Sequence, residues 1–303
     1  MADGKMATQM LEGKGFIAAL DQSGGSTPGA LRHYGIPDDA YSGDDEMFRL
    51  VHEMRVRIIA SPDFEGGKVI GTILFEKTMD GEVNGMPVPT YLWKERGIVP
   101  FLKVDKGLEQ EVDGVCLMKP ISGLDDLLAR AAALGVYGTK MRSTIAMPSR
   151  SGIAAAVKQQ FAIAGQIDAH GLMPIIEPEV SIKSPDKAEC EEILLEEILK
   201  NLDGLPSGRR VMLKLTIPTR TNLYARLVKD ARVARVVALS GGYSRAKACE
   251  LLSQNNGVIA SFSRALVEDL KYAMSATQFD ATLASAINRI YEASTLKRTG
   301  ASA

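Results

Sequence analysis

Residues 211–217 read Val-Met-Leu-Lys-Leu-Thr-Ile, an apolar, β-branched run with Lys214 at its centre. Lysine is among the residues least often fully buried. A buried ammonium must find partners or release its proton, and the released form is an amine nucleophile able to condense with a carbonyl carbon. The plain alternative is an exposed lysine on an edge strand. What lies on either side of this run decides between the two.

Short apolar runs of the same kind recur at 15–21, 69–76, 100–107, 137–143, 173–180, 233–241 and 258–263, making eight with 210–217. Runs of this length fit strands buried on both faces, as in parallel sheets. Helical stripes separate them. Met47, Leu50, Val51, Met54 and Ile58 form one, with Asp44 and Asp45 as capping candidates; Ile153, Val157, Phe161, Ala164 and Ile167 form another. Cys190, Ile193, Leu194 and Ile198, then Ala248, Leu251 and Leu252, and finally Leu283, Ile287, Ile290 and Tyr291 continue the series. These stripes are core faces, so Met47 and Met54 are packing residues.

Strand–helix alternation predicts an α/β protein with a parallel sheet, and eight strands in about 300 residues predict a (β/α)₈ TIM barrel. A doubly wound open sheet would want a dinucleotide turn after the first strand. Asp21-Gln-Ser-Gly-Gly-Ser is glycine-rich but is not GxGxxG. One domain over residues 1–303 is expected, with the segment to about Lys14 as a helix over the barrel floor and a helix at the C-terminal end.

Composition narrows the classes. The 303 residues are 46% hydrophobic with a net charge of −1, so no basic bias points to nucleic acid. Three scattered cysteines, Cys116, Cys190 and Cys249, suggest reduced thiols and a cytoplasmic setting. The opening Met-Ala-Asp-Gly-Lys-Met lacks the apolar run expected of a signal peptide, and no apolar stretch reaches the roughly 18 residues expected of a membrane helix.

A barrel places chemistry at the C-terminal ends of its strands. There the runs carry Asp21, then Lys103 with Asp105, Lys140 with Arg142, Glu177 with Glu179, Lys214, and lastly Arg264. Side chains alternate along a strand, so each of the three pairs shares a face. Six strands donating charge to otherwise buried runs is costly unless the charges meet in one pocket. In such a mouth, cationic neighbours such as Lys140 or Arg142, together with desolvation, are expected to lower the Lys214 pKa. Glu177 is then the natural proton shuttle for dehydration of a carbinolamine, and Asp21 can accept a hydroxyl proton during carbon–carbon cleavage. Ser240-Gly-Gly places two glycines between strand and helix, where backbone amides can cradle an anion. Arg264, in Ser261-Phe-Ser-Arg, can grip phosphate oxygens.

Together these segments resemble class I fructose-1,6-bisphosphate aldolase, in its short bacterial form. GFIAALDQSGGSTP, FLKVDKG, GTKMRS, PIIEPEV, VMLKLTIPT, LSGGYSR and IASFSRAL carry the resemblance, from Gly15 to about Tyr291. It implies a metal-free lyase of glycolysis and gluconeogenesis that cleaves fructose 1,6-bisphosphate reversibly to dihydroxyacetone phosphate and glyceraldehyde 3-phosphate. No cofactor is implied beyond a covalent Schiff base on Lys214. The resemblance makes Lys214 the Schiff-base lysine, Glu177 the acid/base with Glu179 in support, and Asp21 the handler of the C4 hydroxyl proton. It implies that Lys140 stands near the reacting centre and Arg142 near a phosphate, with Lys103 touching substrate. Ser240, Gly241, Gly242, Ser261, Ser263 and Arg264, with Ser23 and Ser26, fall where phosphorylated ketoses and triose phosphates are held. A homo-oligomer is compatible with it.

Four departures stand out. Met141 replaces a tryptophan between the cationic pair; the phosphate-binding arginine after the first strand has no counterpart, with Ala30 in its place and Arg32 nearby. The serine run before Arg264 is one residue shorter, and the ending Thr-Gly-Ala-Ser-Ala lacks the tail tyrosine that assists proton exchange. Three rival readings remain. A zinc enzyme needs a convergent ligand set, but His33, His52 and His170 are scattered and His52-Glu53-Met-Arg-Val is not HExxH. The other two are a transaldolase-like Schiff-base lyase and a non-catalytic barrel that binds sugar phosphates.

Overall fold

A computed structural model describes residues 4–23 and 27–298. Eight parallel strands close on themselves: β1 Phe16–Leu20, β2 Val69–Leu74, β3 Val99–Lys103, β4 Gly138–Ile145, β5 Met173–Val180, β6 Val211–Thr216, β7 Val233–Leu239 and β8 Ile259–Phe262. Each pairs with the next, and β8 pairs with β1 through Ile17↔Ser261 and Ala18↔Phe262. This is the (β/α)₈ barrel expected from the spacing of apolar runs.

Alternation along each strand sorts the core into two layers. Phe16, Ala18, Leu20, Leu102, Met141, Ile176 and Leu213 face outward and pack with the surrounding helices. Ile17, Ala19, Phe101, Ile175, Met212, Val237 and Ile259 face inward and fill the lower barrel. Continuing each inward series by two residues gives Asp21, Lys103, Glu177, Lys214 and Ser261. One period-two pattern therefore builds an apolar floor and a polar mouth from the same strands.

Helix Gly4–Glu12 lies under the barrel floor. Met6 and Met10 insert into the inner core, and Gln9 donates to the carbonyls of Ile70 at 2.8 Å and Gly97 at 2.7 Å. From β7, Arg235 donates to the Met10 carbonyl at 2.8 Å. Gly138, at the start of β4, leaves room for the inward Phe101 ring; a Cβ there would lie 2.2 Å from the Met173 carbonyl oxygen and 2.8 Å from that ring.

The main outer helices are Gly43–Ala60, Arg150–Ala169, Lys187–Leu202, Arg245–Ser253 and Ala276–Thr295. No described helix is long and apolar enough to cross a membrane. Some details correct the sequence reading. Asp44 and Asp45 lie inside the first turn of helix Gly43–Ala60 rather than capping it; Ser42 is the N-cap and its N–H is taken by the Glu46 carboxylate at 2.8 Å. Their charges there suit the helix dipole. Strand β3 ends at Lys103, so Asp105 sits in the loop beyond it. Strand β8 ends at Phe262, and Arg264 opens the short helix Arg264–Val267. A hairpin pairs Glu82–Val83 with Met86–Pro87 around Asn84-Gly85, both at positive φ (53° and 75°), the Asn-Gly signature of a tight turn. Strand Val115–Cys116 adds antiparallel to the end of β4.

Candidate active site

Six ionisable side chains from five strand ends converge in the barrel mouth. Lys214, on β6, is 4% exposed. Its Nζ lies 3.0 Å from Glu177 Oε1 on β5. Lys140, on β4, reaches the other Glu177 oxygen at 3.0 Å, Asp21 Oδ2 at 2.8 Å and Asp105 Oδ2 at 3.8 Å. Lys103 pairs with Asp105 Oδ1 at 2.8 Å and donates to its backbone carbonyl at 2.7 Å. The result is a chain of alternating sign, Lys214–Glu177–Lys140–Asp21, with Asp105 and Lys103 attached to Lys140. Three ammoniums face three carboxylates, which answers the cost of burying charge.

The electrostatics follow from that alternation. Burial by itself pushes the Asp21 carboxyl up, but the charges of Lys140 and then Lys214 outweigh it and hold Asp21 well below the ordinary carboxylate range. Burial likewise depresses Lys140, but Asp21, Glu177 and Asp105 outweigh it and push Lys140 up. Without substrate, Lys140 is thus a cation at neutral pH and Asp21 an anion, the form that can accept a proton. The expected neighbour of Lys214 needs correcting. Glu177 stands between Lys214 and Lys140, so the nearest charge to the amine is a proton acceptor rather than another cation. Arg142 pairs with Glu179 at 2.9 Å, with 42% of its side chain exposed at the rim.

Lys140 faces Glu177 Oε2 without the alignment of a hydrogen bond, and this oxygen has no hydrogen-bond partner among the described residues. The same holds for Asp105 Oδ2 and Ser261 Oγ. Buried polar atoms seldom go without a hydrogen bond, so these three are left to be satisfied by a polar molecule entering the mouth.

The phosphate-seat candidates cluster beside this chain. Ser240 is buried after β7, followed by Gly241 and Gly242 at φ 61° and 111°. The exposed Arg264 lies over the turn, its Nη2 being 3.4 Å from where a Gly242 Cβ would project. Ser261 is buried at the end of β8, and Ser263 Oγ accepts from Gln22 Nε2 at 2.5 Å. Gln22 thereby ties the loop after β1 to the loop after β8. Half-buried Ser23 follows it; Ser26 lies outside the described residues, as does the terminal Thr-Gly-Ala-Ser-Ala. Beside the mouth, a cleft of about 250 Å³ opens between Thr144, Glu179, Lys183 and Gly241.

The departures find their places too. Met141 is fully buried on the outer face of β4 and does not line the mouth. Arg32 is committed to Asp38 at 2.6 Å on the surface. His170 contacts Asp125, and His52 contacts the Glu82 carbonyl, both away from the mouth.

Two further residues were not read from sequence. Arg55, in helix Gly43–Ala60, is fully buried and donates to Thr78 Oγ1 at 2.7 Å and to the Gln22 carbonyl, so it holds the Asp21 loop from behind. Gln160 is fully buried in helix Arg150–Ala169, where the apolar stripe leads one to expect an aliphatic residue. A polar residue at i+3 and i+4 from buried Val157 and Ala156 was the available signal for it.

The chain is similar to several known proteins. A family model described as fructose-bisphosphate aldolase class-I matches residues 5–218. A curated protein of Synechocystis sp. (strain ATCC 27184 / PCC 6803 / Kazusa), named fructose-bisphosphate aldolase class 1, is 58% identical over 280 residues, covering 92% of this chain and 93% of that protein. Among solved structures, the fructose-bisphosphate aldolase from Plasmodium falciparum, in complex with TRAP and a small-molecule inhibitor, superposes with a TM-score of 0.78. It shares 20% identity, with 98% of this chain and 96% of that chain covered. An archaeal fructose-1,6-bisphosphate aldolase, its catalytic lysine bound covalently to the carbinolamine intermediate, superposes at 0.51 with 12% identity, covering 95% and 100%. At such identities the two structures speak to the fold.

Proposed function

Because this chain belongs to the class-I fructose-bisphosphate aldolases, we propose that Lys214 is the amine that forms the Schiff base and that Glu177 moves the protons this requires. The enzyme is a lyase that cleaves fructose 1,6-bisphosphate reversibly to dihydroxyacetone phosphate and glyceraldehyde 3-phosphate. The observation that carries the residue assignment is the 3.0 Å contact between Lys214 Nζ and Glu177 Oε1 inside the mouth.

The steps follow from that contact. Lys214 passes a proton to Glu177 and its lone pair attacks the C2 carbonyl carbon, giving a carbinolamine. Glu177 returns the proton to the carbinolamine hydroxyl, which leaves as water, and an iminium forms. Asp21 accepts the C4 hydroxyl proton as the C3–C4 bond breaks. The bonding pair flows into the iminium to give an enamine, and the aldehyde departs. Protonation at C3 and hydrolysis release dihydroxyacetone phosphate and restore Lys214. Lys140 stabilises the negative charge that passes through Asp21 and the C4 oxygen.

Ser240, Gly241, Gly242, Ser261 and Arg264 hold the phosphate of the dihydroxyacetone half, with Ser263 placed by Gln22. Lys103, Arg142, Glu179 and Ser23 line the remainder of the substrate. The free thiols of Cys116, Cys190 and Cys249 fit a reducing cytoplasm as the working compartment.

A coupled cleavage assay with EDTA present, run on wild type and Lys214→Met, tests the assignment. Wild type keeps its rate and the variant loses it. Borohydride with dihydroxyacetone phosphate adds mass at Lys214 and inactivates the wild type irreversibly. Full activity in Lys214→Met, or trapping at another lysine, overturns the reading.

A further inference from the structure

Gln160 enters the seam between β4 and β5 from outside the barrel. Its Oε1 accepts the backbone N–H of Glu177 at 2.8 Å, and its Nε2 donates to Ser143 Oγ at 2.6 Å. Both contacts are buried, and Gln160 and Ser143 are 0% exposed. Its neighbours on the buried face of the helix, Ile153, Ala156, Val157, Ala164 and Ile167, carry no polar side-chain atoms. A leucine there would leave the Glu177 N–H and the Ser143 hydroxyl buried without these partners, so the carboxamide is the group that completes the hydrogen bonding of the Glu177 backbone.

The residue it holds is the one whose position matters most to proton transfer. Strand β5 runs in register with β4 from Gly138↔Met173 to Ile145↔Val180. On its other side, β5 pairs with β6 only through Ile175↔Met212 and Ile176↔Leu213. The pairing stops where Glu177 and Lys214 begin, and Pro178, next along β5, has no N–H to extend it. Farther along, a side chain bridges the strands: Thr216 Oγ1 donates to the Val180 carbonyl at 2.6 Å. At Glu177 itself, the side chain faces Lys214 and Lys140 inside the barrel while its backbone N–H is held by Gln160.

We propose that Gln160 is a positioning residue for Glu177, fixing the backbone of the acid/base where β5 loses its support from β6. Ser143 fixes Gln160 in turn. The proposal rests on the reading of Glu177 as the acid/base. A carboxylate 3.0 Å from Lys214 tolerates little drift, since a displacement of about 1 Å caused from outside the reacting centre can cost about a hundredfold in rate.

The test compares Gln160→Leu, Gln160→Glu and Ser143→Ala with wild type, using fructose 1,6-bisphosphate cleavage from pH 5 to 9. Gln160→Leu lowers kcat by about ten- to a hundredfold, leaves KM within about twofold, and displaces the acid limb of the kcat profile. Gln160→Glu keeps an acceptor oxygen for the Glu177 N–H and regains most of the lost kcat. Ser143→Ala, which removes only the anchor, shows the same displacement at reduced size and decides the matter if Gln160→Leu does not fold. A wild-type kcat and pH profile in both Gln160→Leu and Ser143→Ala overturns the proposal, as does a loss that follows only the folded fraction. Glu177→Gln is measured alongside. Full activity there sinks the acid/base reading itself; an inactive Glu177→Gln with an unaffected Gln160→Leu sinks only the positioning role.

Discussion

Lys140 on β4 reaches across the barrel mouth to Asp21 at the end of β1, Nζ to Oδ2 at 2.8 Å, with both side chains buried. The contact joins strands that are not neighbours in the sheet, so it depends on barrel closure. Asp21 is held below its unfolded pKa of about 3.9, chiefly by Lys140 and Lys214 acting against burial. Its contribution to stability is therefore complete above that pH and is lost as pH falls toward the folded value. Lys140 is shifted upward, so its contribution is complete below about pH 10 and is lost only beyond that. Lys140→Met leaves three carboxylates short of a cation and costs about 3–5 kcal/mol at pH 7. Urea melts at pH 7 and pH 2.5 check this: the gap between variant and wild type narrows below about pH 3.9, where Asp21 of the unfolded chain takes up its proton. A gap that stays constant contradicts the ion-pair origin.

The phosphate seat separates backbone shape from charge. Gly241 sits at φ 61°, and a Cβ there would lie 2.6 Å from Ile182 Cγ2. Gly241→Ala therefore strains the turn by about 1–2 kcal/mol and moves the amides that would face the phosphate. Arg264→Ala removes a charge-assisted contact worth about 2 kcal/mol, roughly thirtyfold in KM. Both changes raise KM for fructose 1,6-bisphosphate more than they lower kcat. Steady-state kinetics of the two variants read this directly, and an unchanged KM in Arg264→Ala removes that residue from the seat.

Met141 provides a control that sequence alone places badly. It lies between Lys140 and Arg142 in the chain but packs on the outer face of β4, with 0% of its surface exposed. Met141→Leu conserves volume, so it costs less than about 1.5 kcal/mol and leaves kcat and KM at wild-type values. A large kinetic effect, measured at equal folded fraction, shows that the outer core of β4 bears on the site.

The barrel was legible because its inner and outer faces are both apolar, which writes each strand as a continuous run. The mouth was legible because Asp21, Lys103, Lys140, Glu177 and Lys214 interrupt those runs near their C-terminal ends. What period-two reading could not show was depth and partner. Asp105 lies beyond the end of β3 yet still reaches Lys140, because the loop turns back over the mouth. Glu177 intervenes between two lysines that sequence places near each other only through the fold. The Asn84-Gly85 turn was present in the sequence as a hairpin signal, but its flanking strands of two residues each are too short to show alternation. Arg55 and Gln160 were hidden for a different reason. Each is a polar residue on the apolar side of an amphipathic helix; its spacing places it on the buried face, but only the fold shows which backbone groups it meets there.

Arg55 makes the last prediction. Arg55 is 1% exposed, and among the described residues it forms no ion pair, with Asp21 the one carboxylate whose charge acts on it. Burial pushes its pKa down to about 10, which still leaves it charged at neutral pH. A buried, unpaired charge is a cost, offset by the bonds to Thr78 and the Gln22 carbonyl and by the Phe75 ring 5.8 Å away. Arg55→Met removes the charge and the bonds together, so the two effects oppose and stability changes by no more than about 2 kcal/mol. Function has no such compensation. Without Arg55 the Gln22 carbonyl is released, and the Gln22–Ser263 bond no longer fixes Asp21 relative to the phosphate seat. The expected outcome is a fall in kcat/KM of about tenfold, at nearly wild-type stability. Urea melts and cleavage kinetics on the same preparation measure both. A variant that melts far earlier yet turns over normally per folded molecule shows that Arg55 supports only the scaffold.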